Sequence, residues 1–203
     1  MTHRFLSTLF TDAVKAAQVE NGSRAAYSRF DAPADPDNLT EVETAFISAR
    51  DSFYMATATA NGWPYIQHRG GSPGFVKVLD PGTLAFADFR GNRQYISLGN
   101  IAGDDRVALF FMDYANRRRL KLLGRMRPVD LSQSSGLAEA LIDPGLKAKV
   151  ERALLITVEA FDWNCSQHIT PRYTLDEVTP TIDALKMRIA ELEADLKTAV
   201  RAT

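Results

Sequence analysis

Apolar and polar residues alternate in short runs along the middle of the chain, from Ser52 to Pro128. Turn-forming pairs such as Asn61-Gly62 and Pro81-Gly82 separate these runs, which are rich in aromatic and β-branched residues. A period of two is typical of strands that bury one face. The pattern predicts six strands in this block and a seventh after it, at 52–59, 63–69, 74–79, 83–88, 106–113, 117–127 and 153–161.

The strand at 117–127 indicates most clearly which face is buried. Its core face carries Leu120, Leu122 and Met126. The opposite face carries Leu123 as an exception and a row of basic side chains, here called the basic ladder, formed by Arg119, Lys121, Arg125 and Arg127. The ladder is either a solvated sheet face or a surface for nucleic acid.

Helical spacing predicts one helix over residues 5–20, with Phe10, Ala13, Val14 and Ala17 as its apolar positions. The pair Asn21-Gly22 ends this helix, because both residues readily adopt the left-handed conformation of a C-cap. The Pro- and Asp-rich segment 31–38 cannot continue it. Thr40 and Glu43 then form a capping-box pattern that predicts a second helix over 41–50.

Two further helices are predicted after the strand block, the first over residues 132–150. The second begins at Thr179 as its cap, with Pro180 as its first residue. Its apolar positions repeat at steps of three and four residues: Ile182, Leu185, Ile189, Leu192 and Leu196. Such a helix either packs on its own domain or pairs with a second subunit. Strands in one block with helices mainly before and after them predict an α+β fold with an antiparallel β-barrel, not a parallel Rossmann sheet.

The charge balance restricts the partners of the chain. Its 203 residues include 24 Lys and Arg against 25 Asp and Glu, so no net field draws it to nucleic acid or to an anionic membrane. Cys165 is the only cysteine, which excludes an intrachain disulfide, and the amino terminus has no long apolar run. We therefore expect a cytoplasmic protein without nucleic-acid or membrane partners.

The turn Gly91-Asn92-Arg93 is the first candidate for chemistry. It follows a predicted strand and precedes a short predicted helix at 94–98. Free N–H groups at a helix N-terminus, a glycine and an arginine fork together suit a phosphate. The alternative is that Asn92 only caps the helix while Arg93 is solvated.

Two other segments bring cations close to small or aromatic residues. Arg69 and Lys77, predicted on neighbouring strands, flank a glycine-rich link in 67–77. The irregular segment 161–173 contains Trp163, Asn164, Gln167 and Arg172, which suit a ligand contact or a satisfied loop. Cys165, His168 and His68 are too scattered, and too poor in carboxylates, to predict a metal site or a Cys-His nucleophile.

These segments together resemble the pyridoxamine 5'-phosphate oxidase family of FMN-binding split barrels over about residues 40–175. The resemblance rests on four blocks in the family's order: 69-RGGSPGFVK-77, Gly91-Asn92-Arg93, 118-RRLKLLG-124, and Trp163 followed by Arg172. It implies a split-barrel domain at 40–175, preceded by a helix and linker at 1–39 and followed by a C-terminal helix at 176–203.

The resemblance also implies the cofactor and the residues that hold it. FMN is expected to place its phosphate near Lys77, Arg93 and the helix N-terminus at Asn92, to lie along the strand that contains Arg69, and to place its ring against the backbone of Val76, Phe86 and Ala87. The family is typically homodimeric with flavin at the subunit interface, which implies that Arg119, Trp163 or Arg172 reaches the partner's flavin. His68, Tyr95 and His168 are candidate contacts to a small-molecule substrate, and no catalytic acid, base or nucleophile is assigned.

A flavin-dependent oxidoreductase is the function that the resemblance favours, since in such sites the flavin carries the redox step. Two alternatives stay open at this point. The chain could bind FMN as a carrier or sensor without turnover, or its barrel could bind haem or a deazaflavin.

Overall fold

The computed structural model describes residues 3–142, 149–163 and 165–201. Asn164 and part of the helix predicted over 132–150 lie outside these residues. The chain divides into two compact units, one of Met1–Asp113 and Arg118–Ser166 and the other of Tyr114–Arg117 and Gln167–Thr203.

The first unit is built on one antiparallel sheet of seven strands. The strands are β1 (Ser52–Ala58), β2 (Pro64–Gly70), β3 (Lys77–Asp80), β4 (Thr83–Phe89), β5 (Arg106–Asp113), β6 (Arg118–Val129) and β7 (Val150–Trp163). Their order across the sheet is β2-β1-β5-β6-β7-β4-β3. All seven predicted strands are confirmed, with ends that differ by a few residues.

The sheet curls into a barrel that stays open at one seam. Three strands separate β1 from β4 in the sheet, yet the ring centroids of Phe53 on β1 and Phe86 on β4 are 5.3 Å apart. Within the described residues the edge strands β2 and β3 do not pair with each other. The predicted α+β fold with an antiparallel split β-barrel is therefore confirmed.

Prediction placed Arg69 and Lys77 on neighbouring strands, and this is wrong. β2 and β3 are consecutive in sequence but form opposite edges of the sheet. The link between them is rich in glycine, and Gly74 has a φ of +81°, a conformation that L side chains rarely adopt. β3 begins at Lys77 and not at residue 74, because this link still turns as far as Val76.

The two faces of β6 are confirmed as predicted. Leu120 and Leu122 are completely buried in the barrel core, and Met126 lies beside them. Leu123, the exception, packs on the other face against Phe5 and Leu6.

Acidic side chains pair with two of the four residues of the basic ladder. Lys121 Nζ lies 2.9 Å from Asp162, and Arg125 is 3.0 Å from Glu159 and 2.7 Å from Asp105. The ladder therefore offers less positive charge to a polyanion than its sequence alone suggests.

Seven α-helices are described: α1 (His3–Leu9), α2 (Asp12–Glu20), α3 (Arg24–Tyr27), α4 (Glu41–Ser48), α5 (Ile96–Gly103), α6 (Ser135–Leu141) and α7 (Leu175–Arg201). Short 3₁₀ turns lie at Ser28–Phe30 and Leu131–Gln133. None of the described helices combines the length and the apolar character needed to cross a bilayer.

The single helix predicted over 5–20 is wrong, because α1 ends at Leu9 and Thr11 caps a new helix by accepting the N–H of Val14. The C-cap at Asn21 and Gly22 is confirmed, and Gly22 has a φ of +71°. The capping box of Thr40 and Glu43 at the start of α4 is also confirmed.

The predicted start of the C-terminal helix is wrong by five residues, since α7 begins at Leu175 and not at Pro180. Thr174 and Glu177 exchange capping contacts: Thr174 N–H donates to the Glu177 carboxylate at 2.7 Å, and Glu177 N–H donates to Thr174 Oγ1 at 3.3 Å. This box starts the helix one turn earlier, and Pro180 lies inside it. Nearby, Thr179 Oγ1 donates to the carbonyl of Leu175 at 2.7 Å.

Candidate functional site

A pocket of 240 Å³ opens in the first unit between the edge strand β2 and the turn that follows β4. The wall formed by β2 presents Tyr65, Gln67 and Arg69, which share one face of the strand because side chains alternate. The remaining lining comes from the end of β4, the turn at 91–95, the first turn of α5 and two core residues: Asp88, Phe89, Gly91, Asn92, Arg93, Gln94, Tyr95, Ile96, Ser97, Leu98, Met126 and Leu154.

A hydrogen bond fixes the polar wall of the pocket to α5. Ser97 Oγ donates to Gln67 Oε1 at 2.9 Å, and Ser97 itself is buried. The amide of Gln67 is thereby oriented by a group on a helix, so its NH₂ group retains two donors for other partners.

Asp88 holds two arginines at the inner end of the pocket. Arg69 Nη1 lies 3.0 Å from Asp88 Oδ1, and Arg152 Nε lies 3.4 Å from Asp88 Oδ2. Asp88 is only 8% exposed, so its carboxylate is largely removed from water. Among the described residues, neither Arg69 Nε nor Arg152 Nε has a hydrogen-bond partner, although both atoms are buried. Arg69, which lines the pocket, therefore has an N–H donor whose hydrogen-bonding capacity is unused, whereas Arg152 Nε faces Asp88 without the geometry of a hydrogen bond.

The turn at 91–95 differs from the predicted helix cap. Asn92 Oδ1 accepts the N–H of Gln94 at 3.1 Å, which closes a local turn. α5 begins only at Ile96, so the alternative in which Asn92 caps this helix is wrong. Arg93 and Tyr95 both have left-handed backbone, with φ of 61° and 52°. An irregular segment with two left-handed residues follows β4 where the sequence predicted a direct entry into a helix.

Tyr95 connects this turn to β7. Its hydroxyl donates to the carboxylate of Glu151, with oxygen distances of 3.1 and 3.2 Å. Interaction with the Tyr95 hydroxyl is the main cause that raises the pKa of the Arg93 guanidinium, and the charge of Glu151 adds to it. Burial raises the pKa of Glu151, but hydrogen bonds from Tyr95 and Arg152 outweigh this and hold it below its ordinary value. Both groups are therefore charged at neutral pH.

Positive charge exceeds negative charge around the pocket. Two arginines and one carboxylate line it, namely Arg69, Arg93 and Asp88. Two further arginines and one carboxylate are joined to this lining by ion pairs and by the Tyr95 hydrogen bond: Arg90, Arg152 and Glu151. The longest of these ion pairs joins Arg90 to Glu151, at 3.8 Å. An anion that carries one or two charges would complete the balance.

The structure brings some of the predicted site residues together and places the others elsewhere. Arg69, Asn92, Arg93 and Tyr95 come together in the pocket lining. Val76, Phe86 and Ala87 are buried in the barrel wall beside the seam. β3 pairs only with Thr83, Leu84 and Ala85, so the edge of β4 beyond Ala85 has no partner from β3. Lys77 is exposed at the start of β3 and does not line the pocket.

Arg119 and Trp163 lie elsewhere in the first unit. Arg119 is on the outer face of β6, with its guanidinium carbon 6.0 Å from the ring of Phe110 and a buried Nε that has no partner among the described residues. Trp163 ends β7 and donates from Nε1 to Glu43 at 2.7 Å. Its ring centroid is 4.7 Å from that of Phe46.

The remaining candidates are His68, His168 and Arg172. His68 is on the outer face of β2, opposite the pocket, where its ring lies 5.7 Å from that of Tyr54. His168 and Arg172 belong to the second unit, in which Arg172 lies 4.8 Å from the ring of Tyr114. Within the described part of the chain, no group of three His, Cys, Asp or Glu residues is arranged to hold a metal ion.

Sequence reasoning did not find Asp88, Arg152 or Gln67. Arg152 is opposite Asp88 in the register of β4 and β7, a pairing that links residues far apart in the chain. Gln67 could have been found from its period, because it alternates with Tyr65 and Arg69 on β2. No local pattern marks Asp88 as a counter-ion.

Comparison with known proteins places this fold and pocket in a family. The family model described as pyridoxamine 5'-phosphate oxidase matches residues 39–159. A search of curated proteins finds no match.

Several solved structures are similar. HupZ from Group A Streptococcus is 16% identical, with 66% of this chain and 99% of that chain covered and a TM-score of 0.48. An FMN-binding protein from Syntrophomonas wolfei subsp. wolfei is 10% identical, with coverage of 76% and 96% and a TM-score of 0.47. An F420 reductase is 17% identical, with coverage of 61% and 98% and a TM-score of 0.45. These similarities do not identify the ligand, but the family model covers more than half of the chain, which therefore belongs to the pyridoxamine 5'-phosphate oxidase family.

Proposed function

We propose that this chain binds FMN in the pocket between β2 and the turn at 91–95, and that it oxidises or reduces a small molecule with it. The observation that carries the proposal is the excess of arginine at and directly beside this pocket, together with the unused Nε–H group of Arg69. Family membership supports a flavin as the anion that these groups would meet.

The residues present fit the phosphate of FMN. A phosphate monoester carries about −1.5 to −2 charge at neutral pH and offers several strong acceptor oxygens. Arg69 and Arg93 line the pocket, and Arg152 is tied to its wall through Asp88. Arginine forks match phosphate oxygens in pairs, so these three side chains would both neutralise and orient the group.

The size of the pocket favours a site that two subunits share. Its volume of 240 Å³ lies below the roughly 300 to 1,000 Å³ that is usual for pockets enclosing a ligand of this size. A homodimer with the flavin at the subunit interface would supply the missing wall. Arg119, Trp163 and Arg172 remain candidates for that contribution.

The chain's own groups would bind and orient the flavin and the substrate, while the bound flavin would supply hydride or electron transfer. Gln67, held by Ser97, offers amide donors to polar edges of a ring or of a substrate. The backbone of Phe86 and Ala87, at the edge of β4 that β3 leaves unpaired, would contact the ring.

Purification of the full chain, followed by absorbance spectroscopy and identification of the released cofactor, tests the proposal. We expect a yellow protein that releases FMN, or a colourless one that takes up added FMN with the absorbance change of a bound flavin. Titration with riboflavin, a deazaflavin and haem runs in parallel. Uptake of haem or a deazaflavin with no uptake of FMN would replace the proposed cofactor.

Arg93→Ala tests the phosphate contact, with Arg127→Ala on the exposed outer part of β6 as the control. Loss of one charge-assisted hydrogen bond is expected to weaken FMN about ten- to a hundredfold, and to leave riboflavin binding unchanged. Anaerobic reduction of the bound flavin by NADPH or NADH, followed by oxygen uptake, then separates an oxidoreductase from a passive binder. Failure of both nucleotides and of a panel of amines to bleach the flavin would support a carrier or sensor.

A further inference from the structure

The helix α7 exposes an unbroken apolar stripe. None of its 27 residues is buried, and the apolar side chains of the stripe are about half exposed: Ile182 at 42%, Leu185 at 59%, Ile189 at 56%, Leu192 at 50% and Leu196 at 65%. A stripe of large apolar side chains in contact with water is typical of an interaction surface.

The stripe has the period of a coiled coil. Steps of four and three residues alternate along the seven apolar positions Val178, Ile182, Leu185, Ile189, Leu192, Leu196 and Ala199. This assigns Ile182, Ile189 and Leu196 to heptad position a, and the other four to position d. The repeat covers three heptads, so a partner helix with the same spacing can fill the stripe along most of its length.

The charges beside the stripe are divided between the two halves of the helix. Lys186 and Arg188 occupy positions e and g in the first half, whereas Glu193 and Asp195 occupy the same two positions in the second half. Lys186 and Arg188 form only exposed contacts within the helix, at 3.4 Å to Asp183 and 2.8 Å to Glu191, which are weak and easily exchanged. Among the described residues, Glu193 and Asp195 have no ion-pair partner.

This division favours a second α7 in the antiparallel direction. When Ile189 lies opposite Leu192 of a second copy, Leu185 lies opposite Leu196, and Ile182 lies opposite Ala199. The same register brings Lys186 to Glu193 and Arg188 to Asp195 of the second copy. The twofold axis repeats each contact, which gives six apolar layers and four ion pairs from the residues of one helix.

A parallel pair of α7 helices would form fewer of these ion pairs. Arg188 would still meet Glu193 of the second copy, but Lys186 would face Thr181 and Asp195 would face Val200. A membrane surface is also a poorer partner, because acidic residues outnumber basic ones in Leu175–Arg201 and would be repelled by anionic lipid.

We propose that α7 pairs with α7 of a second copy of this chain as an antiparallel coiled coil, in the register that places Ile189 opposite Leu192. This surface is separate from the flavin pocket and does not depend on the proposed cofactor. The pairing joins two chains whether or not their barrels also associate.

Crosslinking of the full chain between engineered cysteines tests the direction of the pair. Cys165 is exposed and is first replaced by serine. Ile182→Cys and Ala199→Cys copies are then mixed with a short bismaleimide. We expect crosslinked dimers from the mixture and only background from either copy alone. Strong crosslinking of Ala199→Cys with itself would show a parallel pair, and no crosslinking in any mixture would exclude helix pairing; either result overturns the proposal.

Charge reversal tests the register. When Lys186→Glu and Arg188→Glu are introduced into both cysteine copies, four attractive contacts become repulsive, and we expect crosslinking to fall about tenfold or more. Glu193→Lys and Asp195→Lys, added to both copies, make all four contacts attractive again and should restore it. Lys197→Glu and Arg201→Glu change the net charge equally on the outward face and should have no effect. Equal loss of crosslinking in this control, or no recovery of crosslinking after the compensating substitutions, would overturn the register.

Discussion

The guanidinium of Arg69 lies 3.0 Å from the carboxylate of Asp88, which joins the edge strand β2 to β4 although four strands lie between them in the sheet. β2 is hydrogen bonded only to β1, so this ion pair anchors its pocket face to the far side of the barrel. The same pair partly neutralises one cation of the proposed phosphate site. A phosphate in the pocket would therefore share Arg69 with Asp88, and the two negative charges would compete for its positive charge.

Asp88→Asn should strengthen FMN binding and weaken the fold. Removal of the carboxylate releases Arg69 and Arg152 for the phosphate, and we expect about tenfold tighter binding. The same change leaves two arginines without their counter-ion, at a cost of about 2 to 3 kcal/mol in the free energy of unfolding, because the pair is mostly but not fully buried. Fluorescence titration with FMN and denaturant unfolding measure the two effects.

Asp113→Asn is the matched control for this variant. Asp113 is also a buried aspartate, 3.4 Å from Arg50, but it does not line the pocket. We expect it to lose stability without a change in FMN affinity. Weaker FMN binding by Asp88→Asn than by the control would refute the competition.

Asn92→Asp should distinguish the role of residue 92 in the turn from the effect of charge beside Arg93. Aspartate retains an oxygen that accepts the N–H of Gln94, so the turn should keep its stability. The added negative charge next to Arg93 should lower FMN affinity about tenfold, while riboflavin, which has no phosphate, should bind as before. Asn92→Ala provides the comparison, since it loses the turn contact without adding charge. Equal loss of both ligands in Asn92→Asp would place the phosphate elsewhere.

Gly124→Ala should destabilise the barrel, because a Cβ on Gly124 would lie 2.6 Å from both Ile156 Cγ2 and the carbonyl oxygen of Thr157. Backbone must move to relieve the second contact, at a cost of about 1 to 3 kcal/mol. Gly136→Ala on α6 is the control, since a Cβ there meets nothing within 4 Å and should stabilise the helix by about 0.5 to 1 kcal/mol. The free energies of unfolding in urea compare the two, and equal stability of both variants would contradict the predicted clash.

Glu43→Gln should weaken the fold in a pH-dependent way. Burial raises the pKa of Glu43, but hydrogen bonds from Thr40 and Trp163 outweigh it and hold the pKa below the ordinary 4.5. The stabilisation is thus fully present above pH 4.5 and is lost as the pH falls through the lower folded-state pKa. At pH 7 we expect Glu43→Gln to lose about 1 to 2 kcal/mol.

Unfolding in urea from pH 7 down to pH 3 follows this difference between wild type and Glu43→Gln, which should shrink on acidification. Glu139→Gln, on the exposed side of α6, should show no difference at any pH. A difference that grows towards low pH would reverse the assigned sign.

The strands could be predicted from the sequence because burial of one face imposes a period of two. Leu120 and Leu122 alternate with polar residues on β6, and the structure buries both completely. Capping at Thr40 could also be predicted, since it depends on residues only three positions apart. Both features depend on residues that are close together in the sequence, so a local pattern is enough to predict them.

Other features depend on competition between two local signals, or on contacts between residues that are far apart in the sequence. Thr179 and Pro180 suit a helix start, but the box of Thr174 and Glu177 acts one turn earlier and determines the start of α7. Four of the predicted site residues meet in the pocket. The counter-ion of Arg69 was missed because Asp88 is brought to it by the curl of the whole sheet.

The strand order also determines when the pocket can form during synthesis. In the described part of the chain, β4 has only β3 and β7 as hydrogen-bonded neighbours, and β7 follows the other six strands in sequence. On a ribosome that releases the chain from its amino end, the hairpin of β3 and β4 must therefore wait until residues 150–163 have emerged. Non-local pairing of this kind is slow, and it leaves strand edges open to other chains in the meantime. Arg152 reaches Asp88 only at that final step, so the binding pocket matures last.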